Sequence, residues 1–250
     1  MSFSPASNRS TFVLVPGAGT DPGAWQWTIA ALRARGHEAV APPLPLSDPE
    51  AGPVAHAAAV VDAARDLPGR LVVVGQSLGA FTAPLVAARM PVTELVLVAP
   101  MIPAPGETAG EWWSAVAHDK AIAPLVERLG PMSSWGPNEL AEVFLHDVPA
   151  EIAQASERFN RAPGPGMFRE PWPLSGWPDV PTRVFAPRDD RLFPLAFQQR
   201  VTRERLGLPV HVLPGGHLPM LARPEELAAH FATRELRLGG VGDRNPAGQR

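Results

Sequence analysis

Arg70-Leu71-Val72-Val73-Val74-Gly75-Gln76-Ser77-Leu78-Gly79 is the stretch that decides the fold. Its first half is the most strongly apolar, β-branched run in the chain and reads as a strand buried on both faces. Its second half is a polar corner, and the apolar stretch Ala80 to Met90 that follows reads as a helix. A Gly-x-Ser-x-Gly set between a strand and a helix is the pattern of a nucleophile elbow. The turn is strained, and Ser77 sits on it so that its hydroxyl projects above the sheet. Side chains two residues before and two residues after would crowd the turn, and glycine removes the Cβ at both places. By chance alone such a pattern arises in roughly one chain in ten of this size. Its placement is therefore what gives it weight.

Working outward, short apolar runs recur and alternate with helical stretches. Thr11 to Val15 reads as a buried strand ended by the glycine loop Pro16-Gly17-Ala18-Gly19. Trp27 to Arg35 has helical spacing, with Gly36 placed to end it. Glu38 to Ala41 is a brief strand, and Val54 to Asp66 an Ala- and Val-rich helix. Glu94 to Ala99, Thr182 to Ala186 and Val210 to Leu213 are further strands, and Pro224 to Leu236 a last helix with proline at its start. Strands alternating with helices in this way predict an α/β fold, a mostly parallel sheet with helices on both faces. The alternation lapses once. Residues 101–179 hold no convincing strand, several helical stretches (Glu111 to His118, Asn138 to His146, Ala150 to Asn160) and five of the seven tryptophans. The expected organisation is a core of residues 11–100 and 180–238, a helical cap insertion of residues 101–179, and disordered tails at 1–10 and 239–250. Ala162 to Pro173, rich in Pro and Gly, reads as the return linker.

Composition narrows the function. The formal charge is −3 and no basic run exists, so nothing provides for neutralising the phosphates of a nucleic acid. Cysteine is absent, which excludes disulfides, thiol catalysis and thiolate metal sites. The polar N-terminal ten residues do not read as a targeting signal and no run is long enough to span a membrane, so a soluble cytoplasmic protein is expected. Lys120 is the only lysine, a bias that fits a GC-rich bacterial genome.

A serine hydroxyl needs a general base, and the base needs an orienting carboxylate. Of seven histidines, His217 is the best placed. It follows the late strand across Pro214-Gly215-Gly216, at the strand edge where Ser77 also lies. His211 falls within a strand and reads as structural. His37, His56, His118, His146 and His230 lie on helices or connections, where a solvated or capping role is ordinary. The carboxylate is Asp189 or Asp190, both at the end of the preceding strand, and spacing does not separate them. The backbone N–H groups of Leu78 and Ala18 are the candidate oxyanion donors.

Together these residues resemble the α/β-hydrolase superfamily, from about Thr11 to Leu236. Phe12-Val-Leu-Val-Pro-Gly-Ala-Gly, Gly23-Ala-Trp-Gln-Trp27 and Gly215-Gly-His-Leu-Pro-Met-Leu221 are similar to the branch containing plant methylesterases, hydroxynitrile lyases and their bacterial relatives. Phe144-Leu-His-Asp-Val-Pro-Ala-Glu151 is similar to bacterial members of that branch. The resemblance implies an α/β-hydrolase fold and a Ser-His-Asp triad. It favours Asp190, because the family pattern places the acid four residues before a proline, here Pro194. Many members carry His-Gly in the oxyanion loop, where this chain has Pro16-Gly17; the loop backbone can still donate. Ser77 argues against haloalkane dehalogenase and epoxide hydrolase chemistry, which uses Asp at the elbow. Leu218 stands where the lyases use a lysine.

The expectation is a cofactor-free, metal-free serine hydrolase acting on a small to medium apolar ester, lactone or thioester. Two alternatives use the same residues: a C–C bond hydrolase or tailoring cyclase, and a weakly catalytic ligand-binding protein. Trp112, Trp113, Trp135, Phe144 and Phe159 of the cap, with Trp25 and Trp27 beyond the oxyanion loop, are candidate pocket residues. Packing of the cap onto the sheet is the competing role for each. The oligomeric state is not legible.

Overall fold

The computed structural model describes residues 9–233. Six strands form one sheet: β1 (Ser10–Val15), β2 (Glu38–Val40), β3 (Arg70–Gln76), β4 (Glu94–Val98), β5 (Thr182–Pro187) and β6 (His211–Leu213), in the order β2-β1-β3-β4-β5-β6. All five pairings are parallel. The expected strands are each found within one residue of the ends read from sequence. Ser10, expected in a disordered tail, is instead the buried first residue of β1 and pairs with Arg70. Residues 1–8, 234–238 and 239–250, on which the rest of the tail reading and the end of the last helix fall, lie outside the described residues.

Successive side chains of a strand point to opposite faces, and here both faces are covered. Val13, Val73, Leu95, Leu97 and Val184 pack with α2 (Pro53–Ala64), α3 (Gly79–Ala87) and α10 (Leu195–Leu206). Their neighbours Phe12, Val72, Val96, Val98 and Phe185 pack with α1 (Gln26–Ala34) and α12 (Pro224–Ala232). That is why the strands read as continuous rather than alternating hydrophobic runs. Gly36 takes a φ of +82° and ends α1 as its sequence position suggests. Arg183 on β5 donates to the carbonyls of His230, Phe231 and Thr233 at the end of α12 and pairs with Glu94.

Helix α10 is absent from the sequence reading. Its stretch Leu195-Ala-Phe-Gln-Gln-Arg-Val-Thr-Arg-Glu-Arg-Leu206 is largely polar, and only Phe197, Gln198, Val201 and Thr202 are buried. So narrow an apolar stripe gives little periodic signal.

Residues 101–179 contain α4 (Ala109–Ala115), α5 (His118–Ala121), α6 (Ala123–Leu129), α7 (Pro137–Phe144), α8 (Ala150–Ser156) and α9 (Gly166–Arg169), and no sheet strand. Thr108 and Glu111 form a capping box at the start of α4. The segment is fastened to the sheet layer at several points. Trp172 is buried and donates from Nε1 to the Phe81 carbonyl on α3, at 3.1 Å. Glu170 accepts from the N–H of Val54 and caps α2, whose own N-cap, Gly52, has no side chain to do so. Arg205 of α10 pairs in two-pronged fashion with Glu107, at 2.8 and 2.9 Å. The short α11 (Pro219–Ala222) follows His217 and leads into α12.

The chain steps from β1 to β2 in one direction and then lays β3 to β6 on the other side of β1. The crevice at the C-terminal ends of β1 and β3 is thus a topological switch point, where open α/β sheets bind ligands.

Candidate active site

Ser77 follows β3 at that crevice with a φ of +49°, in the left-handed region that a non-glycine residue enters at a cost of about 1–3 kcal/mol. The surroundings hold it there. Its N–H donates to the Val98 carbonyl at 2.9 Å, and its own carbonyl accepts from Ala80 and Met101. The flanking glycines are sterically required. A Cβ on Gly75 would lie 2.7 Å from the Gly79 carbonyl oxygen, and a Cβ on Gly79 would lie 2.7 Å from the carbonyl oxygens of both Val15 and Pro16. Gly17 abuts the serine itself, since a Cβ there would meet Ser77 Cβ at 2.8 Å.

His217 and Asp190 form a buried pair, with Nδ1 to Oδ2 at 2.7 Å and side chains 3% and 0% exposed. The other oxygen of Asp190 accepts from the N–H groups of Leu192 and Phe193, at 2.9 and 2.8 Å. A carboxylate held by two backbone donors presents its remaining oxygen in a set direction. Asp189 turns elsewhere: Oδ2 accepts from Gly215 N–H at 3.1 Å, and its own N–H donates to the Gly215 carbonyl. It braces the turn that carries His217. Asp147, from residues 101–179, accepts from Gly216 N–H at 2.8 Å and braces the same turn. The rings of Phe144 and Phe193 meet the imidazole edge-on, at centroid distances of 5.4 and 5.1 Å. Such apolar walls lower the local dielectric and strengthen the His217–Asp190 interaction.

One residue links these parts and is absent from the sequence reading. Gln76, 1% exposed, accepts from Gly17 N–H at 3.0 Å and donates from Nε2 to the His217 carbonyl at 3.2 Å. A single amide therefore ties the glycine loop after β1 to the histidine turn, across the residue that precedes Ser77. Gln76 is the variable position of the motif, so the pattern itself carries no sign of this role. The Gly17 N–H is therefore engaged by Gln76 and is not free to donate to a ligand.

Ala18 and Leu78 line one cavity, with Leu44, Leu46, Ala51 and Met167 among its apolar walls. Leu78 stands at the start of α3. The far end of the cavity is closed by the return from α8. Asp21 N–H bonds the Phe159 carbonyl, Arg161 N–H bonds the Gly19 carbonyl, and Arg161 pairs with Asp21 at 3.1 Å.

The tryptophans are not in its lining. Trp25 and Trp112 are fully buried in the two core layers, a correction to their reading as pocket residues. Trp112 donates to the Ile102 carbonyl and packs against Phe193 and Phe197, so it fills the space between α4 and α10. Trp113 stacks edge-on with His118, and Trp135 donates to the Gly130 carbonyl within its own loop. Trp27 and Phe159 pack on each other.

Two histidines taken as solvated or capping are buried instead. His118, 2% exposed, bonds the Leu192 carbonyl through Nε2 at 2.8 Å and so backs the Asp190 loop. His56, 5% exposed, lies on the inner face of α2 with Val60 and Ala64. That i, i+4, i+8 spacing is a signal the sequence does carry. Burial pushes both imidazoles below their ordinary 6.5; for His118 the Leu192 bond and the Asp190 charge act in the opposite sense. The unfolded chain therefore takes up protons near 6.5 that the folded chain refuses. The stability these two groups contribute is present above that pH and is lost as the pH falls toward their lowered folded values. The melting temperature should fall between pH 7 and pH 5, and fall less over that span in a His56→Gln/His118→Gln variant. Scanning calorimetry at pH 7, 6 and 5 measures this, and equal slopes in the two proteins would refute it.

The fold agrees with the comparison to known proteins. The alpha/beta hydrolase family model matches residues 12–230, and the chain belongs to that family. It is a hydrolase-type enzyme. It is 28% identical over 240 residues to a pyrethroid hydrolase from Sphingobium wenxiniae, covering 88% of this chain and 85% of the relative. The crystal structure of a pyrethroid hydrolase from Sphingobium faniae superposes with a TM-score of 0.72 at 24% identity, covering 90% of this chain and 96% of the other. Polyneuridine aldehyde esterase superposes at 0.73 with 18% identity, covering 89% and 97%. Among the described residues no helix is long and apolar enough to cross a membrane.

Proposed function

We propose that the chain is a carboxylic ester hydrolase working through an acyl-enzyme on Ser77. The observation that carries this is the buried His217–Asp190 pair at 2.7 Å, tied through Gln76 to the strained turn that bears Ser77. In this reading His217 Nε2 takes the proton of Ser77 as the hydroxyl oxygen attacks the ester carbonyl. Asp190 keeps the imidazole oriented through Nδ1 and stabilises its charged form. The oxyanion of the tetrahedral intermediate accepts from the N–H groups of Ala18 and Leu78, and the start of α3 adds the positive end of its dipole. Collapse of the intermediate breaks the ester C–O bond, and the proton on His217 passes to the leaving alcohol. Water then attacks the acyl-enzyme, with His217 again as base, releasing the acid and restoring Ser77.

Ester chemistry is supported by the relatives, one named a pyrethroid hydrolase and one an aldehyde esterase. The apolar walls of the cavity suit an apolar acyl or alcohol group. Thioesters and lactones pass through the same intermediate. Residues 101–179, in this reading the cap, supply Phe144 and Asp147 to the histidine turn and so couple substrate choice to the catalytic base.

Fluorophosphonate labelling of the folded protein, followed by peptide mass analysis, tests the assignment. A single adduct on the peptide carrying Ser77 is expected. A folded protein labelled elsewhere, or not at all, would count decisively against Ser77 as nucleophile.

A further inference from the structure

Two buried polar atoms without a hydrogen-bond partner in the protein, His56 Nε2 and Thr20 Oγ1, belong to residues that line the cavity holding Ala18 and Leu78. Both residues share that lining with Ala18 and Leu78, which flank Ser77 in the proposed mechanism. Thr20 closes the oxyanion loop, and His56 stands on the inner face of α2. A buried polar group left unpaired is costly, so such groups in a native protein call for a partner. Charge does not supply one. Of the two charged side chains in the lining, Arg161 is held by Asp21 and by the carbonyls of Arg158 and Asn160. Asp48 accepts from the N–H of Glu50. The remaining lining is mainly apolar or backbone. Burial also keeps the His56 imidazole neutral near pH 7, so it acts as a dipolar partner and not as a cation.

We propose that His56 and Thr20 form a hydrogen-bonding subsite for a hydroxyl group on the part of the ester that fills this cavity, so that the preferred substrate is a hydroxylated apolar ester. This rests on the esterase reading. A hydroxyl both donates and accepts, so it pairs with the imidazole nitrogen in either tautomer and with the threonine hydroxyl. A carbonyl only accepts, and a hydrocarbon leaves both groups unpaired. Sites built around a buried hydrogen bond discriminate strongly against analogues that lack the partner.

The test compares matched esters of equal chain length. Methyl hexanoate is set against methyl 2-hydroxy- and 3-hydroxyhexanoate, and hexyl acetate against hydroxyhexyl acetates. The readout is the ratio of kcat/KM for hydroxylated over plain ester. In wild type the ratio should exceed about tenfold in at least one series. It should collapse toward one in His56→Leu, fall partway in Thr20→Val, and recover partly in His56→Gln, which restores a polar partner. A ratio near one throughout in wild type overturns the proposal, as does a ratio unchanged by His56→Leu. Should His56→Leu not fold, Thr20→Val and His56→Gln read the same ratio. A second measurement is independent of turnover. Calorimetric binding of the same esters to a Ser77→Ala protein should favour the hydroxylated member, and Thr20→Val added to it should remove that preference. Esters hydrolysed without selectivity sink the subsite and leave the esterase reading standing. Selective binding with no hydrolysis by wild type does the reverse.

Discussion

Replacing Ser77 by alanine is expected to lower kcat for ester hydrolysis by about 10⁴- to 10⁶-fold, and adding His217→Ala to that variant is expected to cost less than about tenfold more. Groups that act as one unit are not additive: once the nucleophile is gone, the base has nothing to deprotonate. The residual rate over water would come from the N–H groups of Ala18 and Leu78 and from binding in the cavity, which neither substitution touches. The fold should survive. Ser77 occupies a left-handed backbone conformation that alanine also adopts in this protein, at Ala99 and Ala117. Its structural hydrogen bonds to Val98, Ala80 and Met101 are all made by the backbone. Single-turnover and steady-state kinetics of the two single variants and the double variant give the answer. A Ser77→Ala protein within tenfold of wild type, or two losses that simply multiply, would remove the triad from the account.

Gly79→Ala should cost about 3–5 kcal/mol of stability, among the largest effects expected of one methyl group here. The added Cβ would sit 2.7 Å from two carbonyl oxygens at the end of β1. Those oxygens are backbone and cannot swing aside as a side chain could. Relief requires moving α3 away from β1, which would disturb the crevice between Ala18 and Leu78 as well as the core under Phe81. Gly176→Ala is the control: nothing lies within 4 Å of a Cβ there and its φ is unexceptional, so its stability should change by less than about 1 kcal/mol. Denaturant unfolding of both variants measures the difference. Similar midpoints for the two would mean that the elbow tolerates a side chain and that its glycines have no steric role.

Much of the sheet was legible because each strand is buried on both faces and so is apolar throughout. Arg70 to Gln76 and Glu94 to Val98 could hardly be read otherwise. Helix α10 was not legible, because α10 buries only a narrow stripe. Among the candidate site residues, the chain order of serine, acid and histidine by itself points to Ser77 and His217. Spacing left Asp189 and Asp190 equal, and only the resemblance to a family separated them. In the fold both carboxylates have work: Asp190 meets the imidazole, and Asp189 holds the Gly215 turn that presents it. The tryptophans misled because a large aromatic ring serves a core as readily as a pocket. Trp25 and Trp112 went to the core, while the cavity beside Leu78 is walled by smaller groups.

Sequence by itself determined the local events: a strand that runs to Gln76, a tight turn that requires glycine on both sides of Ser77, and a helix that begins at Gly79. These depend on steric limits within a few residues, and such limits are written in residue type. Tertiary structure alone decided what meets across the crevice. Gln76 reaches Gly17 and His217, Asp190 and not Asp189 faces the imidazole, and His56 and Thr20 come to line one cavity. Those partners are far apart along the chain. Their distances are set by sheet register and by how α2 and the return from α8 pack, which no local pattern encodes.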